Sequence, residues 1–146
     1  MSKESDIGWQ RAELPGRSSV PPSLSEAVWF VPPAQINISE CERTVIFYWA
    51  PWSGPSEAVW FKLVSRLAES PVKVQILLVH YDYWTDPACV TLFGPEIGGW
   101  GETCWVRKGE IIGREIFGRC ASGQTFADLL TRMDELVKEL TCEEED

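Results

Sequence analysis

Thr44-Val45-Ile46-Phe47-Tyr48-Trp49-Ala50-Pro51-Trp52-Ser53-Gly54-Pro55-Ser56 changes character half-way along. Thr44 to Ala50 is an unbroken β-branched and aromatic run, the pattern of a central strand covered on both faces. Pro51, Gly54 and Pro55 interrupt it. Beyond them Trp60, Leu63, Val64 and Leu67 recur at i, i+3, i+4 and i+7, which is one face of a helix. The stretch therefore reads as strand, tight corner, helix, and that corner places the chain in the α/β class.

Working outward, Val28-Trp29-Phe30-Val31 closed by Pro32-Pro33 reads as a short strand, and Val72 to Tyr81 as a second apolar run of strand character. Thr85-Asp86-Pro87 opens a short helix that Gly94 ends. Glu102 to Arg107 and Glu110 to Phe117 flank Lys108-Gly109, a hairpin signal. Phe126, Leu129, Leu130, Met133, Val137 and Leu140 mark one face of a final helix, with Thr125 or Ser122 available as its cap. Strands alternating with helices and ending in a hairpin predict a mixed central sheet with helices on both faces, closed by a C-terminal β-hairpin plus helix. Residues 1–24, rich in proline and polar residues with Trp9 as a plausible anchor, are expected to form a flexible N-terminal arm that stays mobile or drapes over the domain. The domain proper is placed at 25–141, and 142–146 is an acidic tail. Ser-Glu-Ala-Val-Trp-Phe occurs at 25–30 and again at 56–61. Their flanks differ, so the repeat reads as coincidence or local copying, or as a first copy that mimics the second at a binding surface.

A chain of 146 residues holds one domain, and 45% apolar with 24% charged content is that of an ordinary soluble globule. The net charge of −9 repels phosphate backbones and anionic lipid surfaces, so neither nucleic acid nor membrane is expected as a partner. Eight tryptophans exceed what a small core needs and hint at a recognition face. The opening residues are polar and no apolar run of eighteen or more residues occurs, so neither a signal peptide nor a membrane span is expected. Cysteines at 41, 89, 104, 120 and 142 are odd in number and irregularly spaced, which suits free thiols in a cytoplasmic setting. They lack the paired spacing of a zinc site, so no metal is expected, and Cys142 is expected to be exposed beside the acidic tail. Asn37-Ile38-Ser39 fits a glycosylation sequon but, without a secretory signal, reads as a chance match in a loop.

The corner segment resembles the active-site region of thioredoxin, in which Trp-Cys-Gly-Pro-Cys leads from a strand into a helix. Here Trp52-Ser53-Gly54-Pro55-Ser56 stands in that place, so Ser53 and Ser56 match the redox pair. The resemblance extends over residues 28–140, through Asp82 after the third strand, Val106-Arg107-Lys108-Gly109-Glu110 at the hairpin and the final helix. A thiol at a helix N-terminus is acidified by the helix dipole and unpaired N–H groups, and a second thiol one turn on resolves the mixed disulfide. Serine forms no S–S bond. Its hydroxyl remains a good cap for the same helix. The resemblance also implies a buried aspartate where Phe47 stands and a cis-proline where counting back from the hairpin lands on Gly101. The joint absence of both points to a natively non-redox protein over an engineered one.

Two functions are weighed. The first is a redox-inactive protein-binding adaptor without cofactor or catalytic residue, using Trp52, Ser53, Gly54 and Pro55 with Trp100 and Gly101 of the glycine-rich loop. In open α/β sheets ligands lie beyond the carboxyl ends of the strands, and Trp52 and Trp100 could wall a groove for an extended peptide. The alternative is a thiol-disulfide oxidoreductase with both cysteines replaced by serine. Weaker readings are redox sensing by one of the five cysteines and a hydrolytic set of Ser53, His80 and Asp82, for which no oxyanion signature appears. Trp49, mid-strand, reads as core.

Overall fold

The computed structural model describes residues 9–14, 19–118 and 125–142. Among these residues six strands form one sheet: β1 (Gln10–Arg11), β2 (Val28–Phe30), β3 (Thr44–Trp49), β4 (Gln75–His80), β5 (Glu102–Arg107) and β6 (Glu110–Ile116). Their order is β1-β2-β4-β3-β5-β6. The pairs β2–β4 and β3–β4 are parallel, whereas β1–β2, β3–β5 and β5–β6 are antiparallel. The α-helices among the described residues are α1 (Gly54–Leu67), α2 (Pro87–Phe93) and α3 (Phe126–Thr141). The mixed sheet covered on both faces is the predicted architecture.

Strand β3 is buried along its whole length, as its unbroken apolar run requires. Its side chains alternate between two cores. Val45, Phe47 and Trp49 join Trp60, Leu63 and Val64 of α1 and Met133 and Leu136 of α3. Ile46 and Tyr48 join Leu92 and Phe93 of α2 together with Trp29, Leu77 and Val79. The tight turns at Pro33–Gln35 and Ile38–Glu40 fill the connection between β2 and β3. Asn37 accepts from the Ser39 N–H at 3.2 Å, so Asn37-Ile38-Ser39 is a capped turn.

The ends of elements carry the chemistry their sequences supply. Thr125 accepts from the Asp128 N–H at 3.1 Å while the Asp128 carboxylate accepts from the Thr125 N–H at 3.0 Å, a reciprocal cap that starts α3. At the other end, Arg43 donates to the carbonyls of Leu140 (3.1 Å) and Cys142 (2.9 Å), and Arg107 to those of Glu139 (2.7 Å) and Cys142 (2.9 Å). Two guanidinium groups thus satisfy carbonyls that the last helical turn leaves open, where the dipole is negative. In the hairpin Lys108 and Gly109 both take positive φ, 53° and 78°, the backbone that matches strand twist in a two-residue turn.

The N-terminal region differs from the sequence reading, which left residues 1–24 outside the domain. Gln10 pairs with Phe30 and Arg11 with Trp29, so β1 extends the sheet by one antiparallel edge strand. Ala12 and Leu24 are buried in the core. Trp9 packs on Trp29 with ring centroids 6.2 Å apart, the anchoring its sequence position suggested. A two-residue strand has no readable period, which is why it escapes sequence reading. Ser122, Cys120 and the acidic tail at 143–146 lie outside the described residues.

The repeated hexapeptide adopts two structures. At 25–30 it forms a turn and then β2, and at 56–61 it lies within α1. The valine and tryptophan of each copy are buried, but Phe61 is 59% exposed and Phe30 packs against the core. The copies present different surfaces, so mimicry of one by the other does not hold.

Candidate functional site

The corner after β3 is built from hydrogen bonds. The Ser53 N–H donates to the Ala50 carbonyl at 3.0 Å, closing the turn through Pro51 and Trp52. The Ser53 side chain accepts from the Ser56 N–H at 3.3 Å and so caps α1, with Pro55 in the first turn where no N–H is needed. The same hydroxyl donates to the Gly99 carbonyl on the glycine-rich loop. Ser53 and Ser56 are both buried. One buried oxygen therefore fastens the helix start and the loop to each other.

The loop itself is held by Glu102, the first residue of β5. Its carboxylate is fully buried and accepts from the N–H groups of Gly98 (2.7 Å) and Trp100 (3.1 Å). Charge-assisted bonds of this kind are shorter and stronger than neutral ones. The Gly118 N–H donates to the Trp100 carbonyl at 2.6 Å, tying the loop to the end of the hairpin. Gly101 takes φ +80°, and a Cβ there would lie 2.7 Å from Cγ2 of Val59. The resemblance implied a cis-proline at this position; no cis peptide occurs among the described residues. The absent side chain at Gly101 lets α1 approach the loop.

Above this frame Trp52 is 62% and Trp100 40% exposed. Trp52 meets Tyr81 edge-on, with centroids 6.1 Å apart, and its ring covers Gly99, where a Cβ would lie 2.9 Å from it. The structure thus brings Trp52 and Ser53 onto the loop that carries Trp100 and Gly101, while Gly54 and Pro55 form the first turn of α1. The Trp52 ring lies against Gly99 and the Trp100 ring against Gly98, so both exposed indoles sit on the glycine-rich loop. Phe47, where the resemblance implied an aspartate, is wholly buried against Trp60 at 5.2 Å. Glu102 and Tyr81 border the candidate site and were not singled out from sequence, whereas Gly99 lies in the glycine-rich loop that was. An acid directly after three glycines and a tryptophan was the available signal for Glu102.

No family model matches the chain, and no curated protein matches it. A solved structure does, from work on the thiol-resolving mechanism in yeast mitochondrial 1-Cys peroxiredoxin via glutathione/thioredoxin systems. It superposes with a TM-score of 0.50 at 20% identity, covering 70% of this chain and 82% of that one. The fold is thioredoxin-like.

Within this thioredoxin-like frame the other candidate groups can be placed. Nδ1 of His80 accepts from the Asp82 N–H at 3.2 Å and lies 3.3 Å from the Asp82 carboxylate, and the ring stacks on Tyr81 at 4.6 Å. Among the described residues no hydrogen bond joins Ser53 to His80, since the serine hydroxyl is committed to Gly99 and Ser56. The hydrolytic set is not assembled. Cys41, Cys89 and Cys104 are buried free thiols. Burial, followed by the charge of Asp86, pushes the Cys89 thiol up to about 11, and burial pushes Cys104 to about 11 against the opposing effect of Arg114. Neither thiol is a ready thiolate at neutral pH. Cys142, expected to be exposed, is half-buried because Arg43 and Arg107 draw its carbonyl onto the domain. Among the described residues no group of three or more His, Cys, Asp or Glu side chains could hold a metal ion. No helix among them is long and apolar enough to cross a membrane.

Proposed function

We propose that this thioredoxin-like domain is a protein-binding module whose corner surface, Trp52 with Trp100 of the glycine-rich loop, receives an extended segment of a partner polypeptide without thiol–disulfide exchange at the corner. The observation that carries the reading is the state of Ser53. Where the resembled family places its attacking thiol, a buried hydroxyl is committed to capping α1 and to the Gly99 carbonyl. Two large apolar side chains stand exposed beside it, of the residue type that dominates binding energy at interfaces. The buried glycines and their internal hydrogen bonds hold the loop that presents Trp100.

Two measurements test the reading. Affinity capture with the unaltered protein and with Trp52→Ala is expected to recover a partner with the first and lose it with the second; recovery of the same proteins by both refutes the corner as the binding surface. The double substitution Ser53→Cys with Ser56→Cys is expected to give little insulin reduction, because Phe47 relays no proton and Gly101 alters the platform. Activity comparable to a thioredoxin would instead support an oxidoreductase whose cysteines are replaced.

A further inference from the structure

A cavity of about 720 Å³ opens beyond the carboxyl ends of β2, β3 and β4, on the side of the corner away from the glycine-rich loop. Its walls include Phe30, Trp49, Pro51 and His80 from the strand ends, Tyr83 and Asp82 from the turn after β4, and Glu13 and Leu14 from the N-terminal segment. The volume falls within the roughly 300–1,000 Å³ typical of small-molecule sites. None of the residues assigned above to partner binding lines it.

The wall has two chemical features. Phe30 meets Trp49 edge-on at 6.1 Å and His80 at 6.2 Å, so three rings form one continuous surface, and Tyr83 adds a fourth that is 38% exposed. Glu13 and Asp82 supply carboxylates, while among the described residues no lysine or arginine lines the space. Arg11, the cation nearest in sequence, lies over Trp29 at 5.0 Å, and Trp29 belongs to the core on the other face of the sheet. Aromatic faces attract cations through the ring quadrupole, and carboxylates at the rim add to that attraction. The net charge of −9 concentrates cations around the molecule as a whole.

We propose that this cavity binds a small organic ammonium ion, an apolar body ending in a positively charged nitrogen. The apolar body lies against Leu14, Phe30 and Trp49, and the nitrogen faces Glu13, Asp82 and the rings of His80 and Tyr83. An anionic ligand meets two like charges there, and a neutral one gains only the apolar wall. β1 has a role in this arrangement, since pairing of Gln10 with Phe30 sets the position from which Glu13 and Leu14 close the side of the space.

Three soluble probes of one shape separate charge from size: phenethylammonium, 2-phenylethanol and phenylacetate, each titrated against the full chain while the backbone amide signals of Phe30, Val31, His80, Asp82 and Tyr83 are followed by NMR. The ammonium is expected to bind about tenfold tighter than the alcohol, with the acetate weakest. The double substitution Glu13→Gln with Asp82→Asn, both exposed positions, is expected to remove most of that preference and leave alcohol binding unchanged. A fourth probe, acetyl-glycyl-lysyl-glycinamide, presents the same charge on a peptide and is expected to bind more weakly than phenethylammonium. Equal affinities for the three small probes, shifts centred elsewhere, no saturable ammonium binding, a preference that survives the double substitution, or tighter binding of the lysine peptide would each overturn the proposal.

Discussion

Replacing Gly101 by alanine isolates the contact that lets α1 approach the glycine-rich loop. Gly101 has φ +80°, and an added Cβ would lie 2.7, 2.8 and 3.0 Å from Cγ2, Cβ and Cγ1 of Val59. Holding a residue with a Cβ in the left-handed region costs about 1–2 kcal/mol. Forcing a methyl into filled space adds about 1–3 kcal/mol, because Val59 is fully buried and has nowhere to retreat. The total expected loss is about 2–5 kcal/mol, a large share of a domain's stability. Urea denaturation of four proteins resolves the parts: unaltered, Gly101→Ala, Val59→Gly, and both together. Glycine at 59 removes all three clashing atoms, so in that background the substitution at 101 should retain only the backbone cost, giving a coupling of about 1–3 kcal/mol. A loss below about 1 kcal/mol for Gly101→Ala alone, or the same loss in both backgrounds, would refute the reasoning.

Ser53→Ala should destabilise by about 2 kcal/mol, one part the lost cap and one part the Gly99 carbonyl left without its donor, whereas Ser53→Thr should recover most of it in the same thermal melts. Alkaline pH should unfold the protein in a defined window. Burial raises Tyr48 from 10.0 to about 12, and Cys89 and Cys104 from 9.0 to about 11, so these groups ionise first in the unfolded chain. Their contribution is complete below pH 9 and falls away as pH rises through 11 to 12; urea midpoints that stay flat from pH 8 to 12 would contradict it. Thr44 carries a buried hydroxyl without a hydrogen-bond partner among the described residues, so Thr44→Val should raise stability by about 1 kcal/mol, read from the urea midpoint.

The parts of the fold legible in the sequence are those with a period long enough to count. The strand through Phe47, the helix through Trp60 and Leu63 and the hairpin at Lys108-Gly109 stand where apolar spacing and turn chemistry put them. Strand β1 does not, because pairing of Gln10 and Arg11 depends on a strand eighteen or more residues away and on no local pattern. The repeated hexapeptide shows the limit most directly. Identical local preferences give a strand where proline-rich turns flank it and a helix where Ser53 caps it, so surroundings decide. In the candidate site the serines and Trp52 were readable from the motif. Glu102 was not, since an acid at the start of a hairpin strand reads as solvated, and only the converging N–H groups of Gly98 and Trp100 account for its burial.

The arginine clasp on the last helix has a practical corollary for handling the protein. Arg43 sits just before β3 begins and the tryptophan corner comes just after β3 finishes, and six residues of extended chain separate them by about 20 Å. A tether joined after Cys142 therefore leaves from the pole opposite the indoles. Molecules anchored to a sensor chip by that end would all point their aromatic corner outward into the flowing sample.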